Sequence, residues 1–128
     1  MVEHGVTKAR NRKGAAVILT HIDDEGKARM VDISSKRKTN RQAIATGTIR
    51  MSPDAYGIVK EGAGPKGDIF GVARVAGIMG AKRTHDLIPL CHPISLSFIG
   101  LDFSFNDSAS EITLTSTVRS SDRTGVEM

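Results

Sequence analysis

The sequence contains a single cysteine, Cys91, so no disulfide bond can form within the chain. A lone thiol is typical of proteins in a reducing compartment. Neither of the common metal-ligand spacings, CxxC and HxxxH, occurs among the 128 residues. These absences exclude a disulfide-stapled secreted domain and give no support for a structural metal site.

Aromatic residues are scarce: there is no Trp, one Tyr and four Phe. Proteins that bind single-stranded nucleic acid stack bases on aromatic side chains, so this composition argues against a dedicated nucleic-acid binder. No apolar run approaches the roughly 20 residues that a membrane helix needs. The longest candidate, 69–81, contains Arg74 and three glycines, and the first residues lack an apolar signal-peptide core. We therefore expect a cytoplasmic protein that binds neither membrane nor nucleic acid.

Hydrophobic residues make up 39% and charged residues 25% of the chain, as in ordinary globular domains. A chain of 128 residues is long enough for one domain with its own core. Residues 1–20 contain four basic and one acidic side chain, whereas the remainder contains 14 basic and 13 acidic ones. We expect residues 1–18 to form a basic leader without regular structure and residues 19–128 to form the folded domain.

Three segments have helix-start signals. Residues 39–42 resemble a capping box and predict a short helix that ends at Gly47. Ser52 precedes a proline suited to the first helical position, and Asp68 is a suitable N-cap before apolar residues at helical spacing. The last of these helices is expected to end near Lys82, where positive charge interacts favourably with the helix dipole.

Strands are predicted on both sides of these helices. Three short β-rich runs come first, at 17–21, 30–33 and 48–51. Residues 97–105 and 111–119 then alternate apolar and polar side chains around a natural turn at 106–110, with a bulge expected at Gly100. The order of strands, helices and a final hairpin predicts an α+β sandwich with helices on one face of an antiparallel sheet.

Lys66 lies in the densest loop signal of the chain, 62–67, directly before a predicted helix start. Backbone amides and the dipole at a helix N-terminus favour an anion, and Lys66 adds a full positive charge, which suits a phosphorylated ligand. The alternative is a flexible loop with a solvated lysine, because the spacing is not that of a P-loop. The residues alone leave both interpretations open.

Cys91 and His92 are adjacent and point in opposite directions in an extended segment, so they are poor partners for one nucleophile–base pair. His92 is suited to bind phosphate or to transfer a proton near neutral pH, or else to a purely structural hydrogen bond. Lys36 and Arg41 either converge on a polyanion or belong to a solvated charge run. Composition does not mark residues 123–128 as functional.

Six segments, in this order, resemble one family: 30–34, 66–68, 73–78, 81–84, 86–93 and 124–128. Through them, and above all through Leu-Ile-Pro-Leu-Cys-His-Pro at 87–93, residues 19–128 resemble the cyclic pyranopterin monophosphate synthases, the protein C family of molybdenum cofactor biosynthesis. The resemblance implies a ferredoxin-like α+β fold. It also implies homohexamers, arranged as trimers of dimers, with the active site at the dimer interface.

The activity that the resemblance implies is that of a lyase. Its substrate is (8S)-3′,8-cyclo-7,8-dihydroguanosine 5′-triphosphate, a nucleotide triphosphate made by an upstream radical S-adenosylmethionine enzyme. The products are cyclic pyranopterin monophosphate and pyrophosphate. The resemblance implies no cofactor and no metal ligand, and leaves open whether a divalent cation accompanies the triphosphate.

The resemblance also assigns residues to roles. It makes Lys66 the catalytic lysine, as proton donor or as electrostatic partner of the triphosphate. The substrate-binding residues that it implies are Leu90, Cys91, His92, Glu127 and Met128, with Lys36 and Arg41 in the anionic site.

Members of the family continue beyond the position of Met128 with another glutamate, a helix bearing a catalytic aspartate and a lysine, and a final strand. We therefore expect the chain alone to be poorly stable or to aggregate, and to have little or no synthase activity. Four apolar side chains of the sheet are expected to lack a cover: Leu101, Phe103, Ile112 and Leu114. One alternative is a non-catalytic remnant that only pairs with full-length subunits. A ferredoxin-like RNA-binding module is disfavoured because the hairpin lacks a basic, aromatic RNA-reading motif.

Overall fold

The computed structural model describes residues 8–10, 16–18, 21–62, 64–65 and 67–128. The strands are β1 (Lys8–Arg10), β2 (Ala16–Ile18), β3 (Thr39–Arg50), β4 (Leu96–Asn106) and β5 (Glu111–Asp122). The helices are α1 (Pro53–Lys60), α2 (Ile69–Lys82) and the short α3 (Thr84–Leu87). Strands β1 and β2 pair with each other, and a separate sheet has the order β3-β5-β4.

Strand β5 lies between β3 and β4 and is antiparallel to both, so β3 and β4 run in the same direction. The chain passes from β3 to β4 through the helices, which makes a split β-α-β unit, and the β4–β5 hairpin completes the sheet. Helix α2 packs on β4. The predicted α+β ferredoxin-like fold, with helices on one face of an antiparallel sheet, is therefore confirmed.

Helix α2 covers the β4 side of this face. The Phe70 ring packs on Phe103 at a centroid separation of 5.0 Å. Gly77 passes so close to Leu101 that a Cβ at this position would overlap the leucine side chain. Four side chains were expected to lack a cover. Of these, Leu101 and Ile112 are buried, and Phe103 and Leu114 are half-buried. The expectation is wrong for Leu101 and Phe103, on which α2 packs, and for the buried Ile112. Leu114, on β5, is only half-buried, and for this residue the expectation stays a prediction.

The predicted helix from the capping box at 39–42 is also wrong, since these residues begin β3. Strand β3 pairs with β5 without interruption from Thr39 opposite Asp122 to Arg50 opposite Glu111. A capping box satisfies only two backbone donors, whereas this ladder pairs the backbone of the whole segment. The strand predicted at 48–51 is confirmed as the end of β3.

Two helix starts predicted from the sequence are confirmed. The Ser52 hydroxyl accepts a hydrogen bond from the Ala55 N–H at 3.3 Å and caps α1. The Asp68 carboxylate accepts one from the Gly71 N–H at 2.8 Å and caps α2. None of the helices in the described part of the chain has the length and apolarity that crossing a bilayer requires.

Two further predictions differ from the structure. No strand forms at 30–33, where the backbone makes other hydrogen bonds, including that of the Ile33 carbonyl with the Lys36 N–H at 3.1 Å. The bulge lies between Leu96 and Phe98, whereas Gly100 lets the Phe98 ring approach the backbone. Strands β1 and β2 fall within residues 1–18, and the division into a leader at 1–18 and a domain at 19–128 stays a prediction.

Three irregular segments meet at one end of the sheet. Thr39, the first residue of β3, pairs with Asp122, the last residue of β5, and Leu96 at the start of β4 pairs with Ser120. The segments that precede β3, precede β4 and follow β5 therefore leave the sheet at the same end: residues 21–38, 88–95 and 123–128. Functional groups from distant parts of the sequence are brought together there.

Candidate functional site

A cavity of about 220 Å³ lies among these three segments, and we call it the smaller cavity. It is lined by His21, Val31, Ile33 and Lys36 from before β3, by Leu90, Cys91 and His92 from before β4, and by Thr124, Gly125, Glu127 and Met128 from after β5. Six of the eight site residues implied by the resemblance are among them: Lys36, Leu90, Cys91, His92, Glu127 and Met128. The structure thus brings these six together, and their individual roles stay predictions.

A larger cavity of about 390 Å³ adjoins the smaller one. The two share five lining residues: Cys91, His92, Gly125, Glu127 and Met128. Much of the remaining wall of the larger cavity consists of small and apolar side chains from β3, α2 and β5, including Ala43, Ala45, Ala81, Leu114 and Val118. The shared residues therefore separate a small cavity with several ionisable groups from a larger, mainly apolar one.

Two of the predicted site residues are not placed in either cavity. Lys66 lies outside the described residues. Arg41 is in β3 opposite Ser120 and lines neither cavity. Within the described part of the chain, Nε of Arg41, Oγ of Ser120 and Nε of Arg123 are buried without a hydrogen-bond partner. Since buried polar groups are normally paired, these donors at the same end of the sheet remain available to an acceptor.

His92 is held by the backbone of the segment before β3. Its Nε2 lies 2.8 Å from the carbonyl oxygen of Val31. A carbonyl oxygen only accepts hydrogen bonds, so Nε2 must bear the proton and donate. The Cys91 thiol contacts the backbone carbonyl of His92 at 3.7 Å instead of its ring. These contacts agree with the expectation that the two neighbours do not form one nucleophile–base pair.

Leu90 has a backbone φ of 64°, in the left-handed region that residues other than glycine rarely adopt. This conformation costs on the order of 1–3 kcal/mol and persists only where the surrounding structure holds it, often at a functional site. The turn around Leu90 is closed by a hydrogen bond from the Cys91 N–H to the Ile88 carbonyl at 3.2 Å. Sequence patterns do not reveal this strain, because leucine is not a residue that marks such turns.

Asp122 links two of the three segments. Its carboxylate accepts hydrogen bonds from the N–H groups of Arg123, at 2.8 Å, and Ser95, at 3.2 Å. These donors, together with the nearby charges of Lys38 and Arg123, hold the pKa of Asp122 below its ordinary range. Sequence reasoning missed both Asp122 and His21. The only sequence signal for His21 was its residue type, because histidine occurs only four times in the chain.

No set of three or more His, Cys, Asp or Glu side chains among the described residues is arranged to hold a metal ion. The implication that the reaction needs no cofactor stays a prediction, as does the open question of a divalent cation bound with the triphosphate.

A family model described as the MoaC family matches residues 30–128. The chain belongs to the MoaC family. A cyclic pyranopterin monophosphate synthase of Streptomyces coelicolor is 56% identical over 110 residues, which cover 86% of this chain and 64% of the relative. One of Syntrophomonas wolfei is 48% identical over 109 residues, covering 85% of this chain and 69% of the relative. The chain thus spans roughly two thirds of the length of these MoaC-family relatives, and the resemblance seen in the sequence is confirmed.

Proposed function

We propose that this chain binds (8S)-3′,8-cyclo-7,8-dihydroguanosine 5′-triphosphate and takes part in its conversion to cyclic pyranopterin monophosphate, with release of pyrophosphate. The main support is the smaller cavity, where six residues that the family resemblance assigns to the substrate meet from three separate segments. The names of the two curated relatives support the same reaction.

The ionisable groups of the smaller cavity suit a polyanionic substrate. The Lys36 ammonium is a compact charge that donates to phosphate oxygens. His92 donates through Nε2 to Val31, so its Nδ1 is the nitrogen that can exchange a proton or a hydrogen bond with the ligand. The Glu127 carboxylate is an acceptor for amine or amide protons of the nucleotide base. Together these groups supply anion binding and acid–base chemistry in one place.

The proposed catalytic residue is Lys66, which acts as proton donor or as electrostatic partner of the triphosphate. In a longer form that also contains the segments its relatives have after the position of Met128, Lys66→Ala should abolish pyrophosphate release and leave the hexamer intact in gel filtration. Normal turnover in this variant would remove Lys66 from the mechanism.

The experiment that tests the function measures substrate binding and pyrophosphate release by the purified protein. It is run with the chain alone and with the chain mixed with the Streptomyces coelicolor relative. We expect the chain to bind the substrate, and His92→Ala to weaken that binding. The proposal is contradicted if this chain binds no triphosphate when alone and also none when mixed with the relative.

We also propose a cytoplasmic homo-oligomer, a hexamer built as a trimer of dimers, that receives its substrate from a radical S-adenosylmethionine enzyme. The competing function is a non-catalytic remnant. It predicts that the chain co-purifies with longer subunits and adds no pyrophosphate release to the mixture.

A further inference from the structure

We propose that His21 is a further binding residue of the smaller cavity and donates a hydrogen bond to a phosphate group of the ligand. This inference rests on the proposed function, since it names a residue that would hold the same substrate. Neither the sequence patterns nor the resemblance assigns a role to His21, which precedes the residues 30–128 matched by the family model.

The backbone of His21 is fixed by a tight hairpin. The Arg29 N–H donates to the His21 carbonyl at 2.9 Å, and Ile22 forms an antiparallel bridge with Ala28. The turn of this hairpin is closed by Asp23, whose carboxylate accepts hydrogen bonds from the N–H groups two and four residues later at 3.0 and 2.8 Å. His21 is therefore presented by a hydrogen-bonded element.

The side chain of His21 lines the smaller cavity together with Lys36 and His92. His92 has one ring nitrogen occupied by the Val31 carbonyl. In contrast, neither ring nitrogen of His21 has a hydrogen-bond partner within the described residues. His21 is exposed, so its ring nitrogens contact solvent and are open to a ligand that enters the cavity.

The balance of groups in the smaller cavity indicates which part of a ligand fits there. The lining residues include one lysine and two histidines, Lys36, His21 and His92, but only one acidic residue, Glu127. At about 220 Å³ the cavity is smaller than the roughly 300–1,000 Å³ of pockets that enclose a whole small molecule. N–H donors around a small volume match the phosphate end of a nucleotide, because each phosphate oxygen accepts several hydrogen bonds.

The test titrates the 128-residue chain with inorganic pyrophosphate, measures Kd by calorimetry and follows the histidine ring resonances by NMR. His21→Ala should weaken pyrophosphate binding about tenfold, as expected for the loss of one hydrogen bond to a charged group. His21→Gln keeps an N–H donor and should recover most of the affinity. Lys27→Ala removes a charge from the same hairpin without touching the cavity, and should leave Kd within about twofold.

Three results would overturn the proposal. The first is that the wild type binds no pyrophosphate. The second is an unchanged Kd in His21→Ala together with His21 resonances of the wild type that do not move on titration. The third is a loss in Lys27→Ala as large as that in His21→Ala, which would indicate diffuse charge attraction. The thermal unfolding of each variant is recorded. If His21→Ala does not fold, the proposal is judged by the affinity of His21→Gln and by whether the His21 resonances of the wild type move with pyrophosphate.

Failure of the proposed function gives a different pattern. Pyrophosphate binding that depends on His21, with no binding of the cyclic dihydroguanosine triphosphate, would keep the phosphate site and reject the function. Binding of the cyclic dihydroguanosine triphosphate with an unchanged Kd in His21→Ala would keep the function and reject the role of His21.

Discussion

At His92 a single hydrogen bond determines which ring nitrogen can act on a ligand. Because Nε2 donates to the Val31 carbonyl at 2.8 Å, the neutral ring must have its lone pair on Nδ1. We expect the ¹⁵N shifts of the neutral His92 ring to show a protonated Nε2 and an unprotonated Nδ1. His21, whose ring nitrogens have no hydrogen-bond partner among the described residues, is the control. A ring protonated on Nδ1 would contradict the structure.

Tyr56, the only tyrosine in the chain, reports on the contact between α1 and the β4–β5 turn. Burial, together with the hydrogen bond from its hydroxyl to the Asp107 carboxylate at 2.5 Å, raises the pKa of Tyr56 from 10.0 to about 12. In the unfolded chain the phenol should ionise near pH 10, so stability is expected to fall between pH 10 and about 12.

Absorbance at 295 nm measures this ionisation directly, since the chain contains one Tyr and no Trp. Asp107→Asn removes a negative charge beside the phenol and should lower the pKa of Tyr56 towards its ordinary value. A midpoint near 10 in the folded wild type would show that the contact does not form.

At the scale of elements, two glycines of α2 have opposite surroundings. A Cβ at Gly77 would overlap the buried Leu101 side chain, whereas a Cβ at Gly80 meets nothing within 4 Å. Gly80→Ala should stabilise the protein by about 0.5–1 kcal/mol through helix propensity. Gly77→Ala should destabilise it, because overpacking costs about 1–3 kcal/mol. Urea unfolding measures both, and equal stabilisation by the two variants would mean that α2 does not lie closely on β4.

The elements that could be predicted from the sequence are those that local residues specify. Ser52 and Asp68 cap their helices by contacts within three residues, and the β4–β5 hairpin follows from alternation and a short turn. Strand β3 could not be predicted from residues 39–47, because its partner β5 begins at Glu111 and only that pairing outweighs the local capping pattern. Gly47, in the interior of β3, resembled a helix stop because the sequence near it gives no sign of the pairing with β5.

The candidate site divides in the same way. The resemblance named six residues that the structure gathers around the smaller cavity, but composition and spacing alone left Lys66 and His92 open. His21 and Asp122 could not be found from the sequence, because their importance depends on three segments meeting at one end of the sheet. The strained backbone at Leu90 arises from the fold around it and has no sequence pattern of its own.

At the scale of the whole molecule, the helical cover is uneven. Helix α2 packs on β4, whereas β3 is at the edge of its sheet in the described part of the chain. Ile49 lies on the same face of the sheet as α2, but on β3, and is 66% exposed. Ala45 and Gly47, on the same face of β3, are also exposed. An edge strand beside an exposed apolar face is a surface for association. The expectation that the chain aggregates therefore stays a prediction. The surface that would cause the aggregation is the exposed face of β3, and not Leu101 or Ile112.

A pair of substitutions on β3 tests this source. Ile49→Glu places a charge on the exposed face that Ile49 shares with α2, and Thr46→Glu places the same charge on the opposite face, where Thr46 pairs with Thr115. We expect the wild-type chain to sediment as species heavier than 13.7 kDa and Ile49→Glu to shift it towards the monomer, because a carboxylate opposes burial of that face. Thr46→Glu should leave the distribution unchanged. Equal effects of both variants would show that the edge of β3, which both faces share, and not its apolar face, drives association.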